Sequence, residues 1–122
     1  MDSKSTLPDI FSNLPFKGVL LNNSLGIEHS SILLKKPTNI ANLPGWDLGY
    51  CSIQDSSSQW ISLACNPKKG ERILDACAAP GGKSCHLLEI APIHLTSVDI
   101  NSARLLKLRQ NANRLSLKPT IC

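Results

Sequence analysis

The sequence predicts an α/β fold in which a parallel sheet is wound with right-handed crossovers, and three observations predict it. The first is a strand, a glycine loop and a helix in immediate succession: Arg72 to Lys83 reads R-I-L-D-A-C-A-A-P-G-G-K and runs into an apolar-periodic stretch ending at Ala91. The second is another short strand, His94 to Val98, that ends on an acid, Asp99. The third is an amphipathic run from Asn101 to about Leu115, followed by Pro119-Thr120-Ile121-Cys122, which opens a further strand. Strand, helix, strand, helix, strand is the order that parallel pairing requires.

Taken along the chain, Leu7, Ile10, Phe11 and Leu14 recur at helical spacing until Pro15 interrupts them. Phe16 to Leu21 is a second apolar cluster, Asn22-Asn23-Ser24 breaks it, and Ser31 to Leu34 reads as a strand stopped before Lys36-Pro37. Leu43-Pro44-Gly45 is a turn, with Trp46 beside it as a packing residue. Tyr50 to Gln54 reads as a strand with Ile53 inward. Asp55 then suits the N-cap of a helix over Ser56 to Cys65 whose apolar face is Trp60, Ile61 and Ala64. Asn66-Pro67 ends that helix, and Lys68-Lys69-Gly70-Glu71 turns the chain into the central strand. In the last helix Leu105, Leu108, Ala112 and Leu115 share one face, with Arg104, Lys107, Asn111, Arg114 and Lys118 on the other.

The chemistry concentrates in the loop. Ile73 and Leu74 form a short buried strand closed by Asp75, and Cys77-Ala78-Ala79-Pro80-Gly81-Gly82 has so little side-chain bulk that a ligand can touch backbone. Lys83 opens the helix with its amine near the mouth, either on an anionic group or solvated. A carboxylate at the end of the second strand, Asp99, can accept two hydrogen bonds from the hydroxyls of a ribose. The loop lacks the G-x-G-x-x-G of a dinucleotide site and has a proline where that turn needs freedom, which disfavours a nicotinamide cofactor.

The run D-A-C-A-A-P-G-G-K at Asp75 to Lys83, the V-D at Val98 to Asp99 and the upstream L-P-G-W-D-L-G-Y-C-S-I-Q-D-S-S-S-Q at Leu43 to Gln59 together resemble RNA cytosine-5 methyltransferases of the RsmB/NOP type, most of all the Sun branch. The resemblance covers roughly Lys35 to Leu115. It implies the first half of a Rossmann-like methyltransferase sheet preceded by a partial small α+β module. Residues 1–40 would be part of an N-terminal RNA-binding module and 41–122 a truncated S-adenosyl-L-methionine-binding domain. It further implies cofactor contact along Cys77, Ala78, Ala79, Pro80, Gly81, Gly82 and Lys83 and at Asp99, with Asp75 on the methionine ammonium. Gln54, Asp55 and Gln59 would border the pocket, although helix capping alone also accounts for Asp55. The implied partner is ribosomal RNA.

Composition agrees with a folded domain: 42% of residues are hydrophobic and 18% charged, and every apolar run is too short to span a bilayer. Met1 to Asn13 is mixed and polar, so a cytoplasmic location is expected, and five cysteines without paired spacing fit reduced thiols there. No metal site is expected, since Cys85 and His86 point about 100° apart on one helix with no second pair to close a site. The net charge is +4, and after Asp99 the chain carries Arg104, Lys107, Arg109, Arg114 and Lys118 without an acid. That segment reads as a solvated helix face, while the overall balance suits a polyanionic partner.

Cytosine carbon 5 cannot attack a sulfonium methyl until a cysteine thiolate adds at carbon 6. The resemblance implies that the working cysteines lie in Pro-Cys-Ser and Thr-Cys-Ser boxes, and neither occurs in this sequence. Cys77 lies in the cofactor loop and does not match the nucleophile. Cys51 and Cys65 fall on apolar sides as small hydrophobes. The chain is therefore expected to be a fragment of the methyltransferase, inactive alone and lacking a C-terminal half. The alternative is a non-catalytic nucleoside- or RNA-binding module. A fragment of this kind would leave Ile73 and Leu74 on an open sheet edge, and the chain would associate or pack loosely.

Overall fold

The computed structural model describes Leu34 and residues 37–122. The chain divides into two compact units, Met1–Trp46 and Asp47–Cys122. In the first, a 3-10 turn over Ile40–Asn42 is opened by Asn39, whose Oδ1 accepts from the Ala41 amide at 3.1 Å. The helix expected over Leu7 to Leu14 and the cluster over Phe16 to Leu21 lie outside the described residues, as does the Ser31 to Leu34 strand except for Leu34 itself.

The second unit runs α1 (Ser56–Cys65), β1 (Arg72–Asp75), α2 (Gly82–Ile90), β2 (His94–Ser97), α3 (Ser102–Arg114) and β3 (Thr120–Ile121). The strands form one parallel sheet in the order β1-β2-β3, with Ile73 opposite Leu95 and Thr96 opposite Thr120. This is the α/β arrangement that the alternation of elements dictates. Its core is Leu87, Ala91, Ile93 and Leu95, with Ile73, Leu88 and Ile90 packed against them. Successive strand residues point to opposite faces, so Leu95 and Ser97 go under the helices while Arg72, Leu74, His94 and Thr120 stand on the other side. Among the described residues that second face is open, and a cavity of about 640 Å³ lies on it between Arg72, Leu74, His94, Thr96, Lys118 and Thr120.

Two local expectations are corrected. Tyr50 to Gln54 is not a strand, and Ile53 is 53% exposed. In place of a ladder, the Cys51 carbonyl accepts from Arg114 Nη1 at 2.9 Å, and Gly49 at φ +76 lies so close under α3 that a Cβ there would stand 2.3 Å from the Arg114 carbonyl oxygen. In α1 the buried residues are Ser62 and Leu63, while Trp60 and Ile61 are about half exposed, at 51% and 49%. α1 packs on α2, and Ser62 is fully buried. Cys65 goes with the exposed side, not the apolar one.

The other boundaries follow local chemistry. Asn66 ends α1 in the left-handed conformation at φ 45. The turn into β1 closes on itself, with the Lys68 amide donating to Glu71 Oε2 at 2.7 Å and Gly70 at φ 82. Asn101 Oδ1 accepts from the Arg104 amide at 3.0 Å and starts α3, whose buried residues are Leu108 and Ala112.

β1 is an edge strand among the described residues, and Leu74 is 64% exposed on the open face, although Ile73 turns into the core. All-parallel sheets are normally covered on both faces, and an exposed apolar edge recruits other chains. The purified chain is expected to self-associate, and Leu74→Lys to lower its mass in light scattering. A wild type that is monodisperse and monomeric would refute this.

Candidate functional site

The site is built where β1 and β2 end side by side. β1 stops at Asp75, and its carboxylate does not hang free: Ser84 Oγ, in the first turn of α2, donates to Asp75 Oδ2 at 2.7 Å. Ser84 Oγ also lies 2.9 Å from Ser97 Oγ at the end of β2, and both serines are fully buried. The Cys77 amide approaches Asp75 Oδ1 at 3.4 Å. One carboxylate thus joins a strand end, the loop and a helix, and the serine hydroxyls satisfy each other in the interior. Asp75 is half-buried, and a carboxylate has about four acceptor positions, so capacity remains for a ligand donor.

The loop between them lies on the end of β2. The Ala78 amide donates to the Val98 carbonyl at 3.0 Å and the Ala79 amide to Asp99 Oδ2 at 3.1 Å. The second oxygen of Asp99 accepts from the Asn101 amide at 3.0 Å. Ala78, Ala79 and Asp99 are all buried. Gly81, at φ +103, comes so close to α3 that a Cβ would stand 2.8 Å from Leu108 Cγ, so the loop can take this path only with glycine there. Cys77, Pro80 and Lys83 are exposed, and the Ala79–Pro80 peptide is cis.

Arg104 is the residue that sequence reasoning missed, because it was counted with the basic face of α3. Its Nη2 donates to the Ala79 carbonyl, and its Nη1 lies 3.8 Å from Asp99 Oδ2. The guanidinium therefore spans both partners of the Ala79–Asp99 contact. The sequence places Arg104 in the first turn after the capping Asn101, close along the chain to Asp99, but spacing alone does not direct its side chain to the loop.

Of the upstream box, Gln54 comes to the loop: the site of a Cβ on Gly82 is 4.0 Å from Gln54 Cγ. Gln59 Nε2 donates to the Gln54 carbonyl at 3.3 Å. Asp55 occupies the N-cap position of α1, but its side chain makes no capping bond.

The thiols divide by environment. Burial pushes Cys85 up to about 11, with Glu89 adding to the shift and Arg114 opposing it, so this buried thiol is held protonated. Cys51 is also raised by burial, against Arg114. No cluster of three or more His, Cys, Asp or Glu side chains that could hold a metal occurs among the described residues.

Asp99 is held below the ordinary carboxylate range chiefly by the Asn101 amide, with the Ala79 amide and Arg104 acting in the same direction and burial acting against them. A depressed folded-state value contributes stability above the unfolded value of about 3.9 and loses it as pH falls through the folded value. Arg104→Gln removes one of these causes. In a carbon-13 titration of the side-chain carboxyl, the Asp99 midpoint is expected to rise in that variant and the loss of stability on acidification to begin at higher pH. An unmoved midpoint would show that Arg104 does not act on Asp99.

The family described as 16S rRNA methyltransferase RsmB/F matches residues 62–122. The ribosomal RNA small subunit methyltransferase B of Shewanella oneidensis is 47% identical over 102 residues, 83% of this chain and 24% of that protein. The protein of the same description from Proteus mirabilis is 44% identical over 93 residues, 75% of this chain and 22% of its own length. The chain thus spans about a quarter of the length of the curated relatives it matches. Among solved structures, a methyltransferase homolog protein from Pyrococcus horikoshii superposes with TM-score 0.66 and 32% identity over 75% of this chain and 31% of that one. NSun6 from the same organism, crystallised with SFG, shares the fold at TM-score 0.67 and 24% identity over 80% of this chain and 27% of its own. A match over residues 62–122 and near-half identity across most of the chain give one conclusion: the chain belongs to the RsmB/F family of 16S rRNA methyltransferases.

Proposed function

We propose that the second unit binds S-adenosyl-L-methionine and serves as the cofactor-holding part of an enzyme that methylates carbon 5 of a cytosine in ribosomal RNA. The observation that carries this reading is the Ala79–Asp99 contact, which holds a loop of small residues against a strand-end carboxylate. The residues present suit the group. Gly81 lets the loop pass close against Leu108, the site of a Cβ on Gly82 has no neighbour nearer than Gln54 Cγ at 4.0 Å, and the carboxylates stand at two adjacent strand ends.

In this reading Asp99 uses its remaining acceptor positions for the ribose hydroxyls, and Asp75 takes the ammonium of the amino-acid end. Cys77, Ala78, Ala79, Pro80, Gly81 and Gly82 supply backbone along the nucleoside, and Lys83 at the mouth takes an anionic group. Arg104 holds the loop and Asp99 in register. The bound cofactor supplies an electrophilic methyl group on sulfur. A thiolate to activate the cytosine is not among this chain's assignments: neither Pro-Cys-Ser nor Thr-Cys-Ser occurs in the sequence, and Cys85 is buried and protonated. Residues 1–40 are assigned to an RNA-binding module and residues 41–122 to the cofactor domain, and the chain alone is read as inactive in transfer.

Two measurements test this. Calorimetry with S-adenosylhomocysteine is expected to show binding that Asp99→Asn weakens about 10- to 100-fold, the range for hydrogen bonds to a charged group. An unchanged affinity in that variant would remove Asp99 from the site. Incubation with radiolabelled cofactor and unmodified small-subunit RNA is expected to give no incorporation. Incorporation lost in Cys77→Ser would make Cys77 the nucleophile and overturn the assignment of the loop.

A further inference from the structure

Two hydroxyls out of reach of water stand in line behind Asp75. Ser97 closes β2, paired in register with Asp75 of β1 on one side and with Ile121 of β3 on the other, so its backbone is held from both directions. Ser84 follows in the first turn of α2, and both serines are fully buried. Ser84 Oγ lies 2.7 Å from Asp75 Oδ2 and 2.9 Å from Ser97 Oγ. A serine hydroxyl has one proton to donate, and an ionised carboxylate can only accept. Ser84 therefore gives its proton to Asp75, which leaves Ser97 as the donor to Ser84. The two bonds run in one direction, from the middle strand of the sheet to the carboxylate.

The run ends on one oxygen of Asp75 and leaves the other weakly engaged. Oδ1 has the Cys77 amide at 3.4 Å, longer than the ordinary N–H···O range of about 2.7–3.2 Å. The outer torsion of an aspartate is broad, so a carboxylate with no fixed donor turns about its last bond. Ser84 pins Oδ2 from beneath and thereby keeps Oδ1 on the side of the loop. The hydroxyls are not needed to hold the elements together: β1 and β2 are joined through their ladder, and α2 is packed on the sheet through Leu87 and Leu95. Alanine at both positions would do the same without taking two polar groups out of water.

We propose that Ser84 and Ser97 are positioning residues whose hydroxyls act in series to hold the Asp75 carboxylate with Oδ1 turned to the loop, set for the ammonium at the amino-acid end of S-adenosyl-L-methionine. The inference rests on the cofactor reading above, in which Asp75 takes that ammonium, and adds the residues that fix the acceptor before the ligand arrives. Fixing it in advance removes an ordering cost from binding, and in a space closed to water each bond of the series strengthens the next. Neither serine touches the ligand, and Ser97 acts only through Ser84.

The test compares two ligands on the full chain by calorimetry: S-adenosylhomocysteine, and 5′-deoxy-5′-methylthioadenosine, which keeps the nucleoside and thioether but has no amino-acid group. Ser84→Ala is expected to weaken S-adenosylhomocysteine about three- to tenfold and leave methylthioadenosine unchanged. Ser97→Ala is expected to give a smaller loss for the same ligand. The double variant is expected to bind S-adenosylhomocysteine as Ser84→Ala does, because residues acting in series do not add. On the unaltered chain, the hydroxyl proton of Ser84, shielded from water, is expected to move in the NMR spectrum with S-adenosylhomocysteine and not with methylthioadenosine, a readout that needs no variant to fold. Equal loss for both ligands would reduce the serines to a structural clamp and overturn the proposal. Unchanged binding of S-adenosylhomocysteine in Ser84→Ala, fully additive losses in the double variant, or a hydroxyl proton that does not move would overturn it as well, with the cofactor reading intact. A wild type that binds neither ligand would overturn the cofactor reading together with it.

Discussion

The hydrogen bond from the Ala79 amide to the Asp99 carboxylate is the contact on which the site depends. A carboxylate out of water must be met by donors, and Asp99 has two backbone amides, from Ala79 and Asn101, with a guanidinium at 3.8 Å. Each donor belongs to a different piece of structure: the glycine loop, the entry to α3, and the first turn of α3. The charge that has to be neutralised is therefore also what brings the three together. Arg104 strengthens the junction by donating to the carbonyl of the same residue whose amide Asp99 receives.

Small side chains make this geometry possible. Ala78 and Ala79 are each 4% exposed, and Gly81 passes Leu108 at a distance that no Cβ would tolerate. Ser84 and Ser97 do the same beneath the loop, where two hydroxyls and Asp75 share a space that larger side chains would separate. The result is a loop whose backbone is fixed from below and whose outer side, at Cys77, Pro80 and Lys83, is left to solvent or ligand.

The sheet has a different character on its two sides. One face is packed with Leu87, Ala91, Ile93 and Leu95, while the other carries Arg72, Leu74 and His94 around an open cavity among the described residues. The cavity lies away from the loop and has cations at its rim, so it is not the place where the loop and strand-end acids would meet a ligand. All-parallel sheets are normally covered on both faces, and the chain spans about a quarter of the length of its curated relatives.

By itself the sequence determined the order of elements, the parallel sheet, the loop and the two strand-end acids, because each rests on interactions within a few residues: periodicity, capping by Asn101, and the conformational freedom of glycine. The upper end of α3 shows it well, since cap, apolar face and buried Leu108 and Ala112 all follow from spacing. The tertiary structure decided what lies opposite what. Tyr50 to Gln54 reads as a strand in the sequence but pairs with none among the described residues, and its carbonyl at Cys51 is taken by Arg114, 63 positions further on. α1 turns Ser62 and Leu63 inward, since the face a weakly amphipathic helix buries is set by the shape of its partner. Arg104 and Gln54 reach the loop for the same reason: a side chain's nearest neighbour in space depends on how helices cross, and no local pattern contains that information.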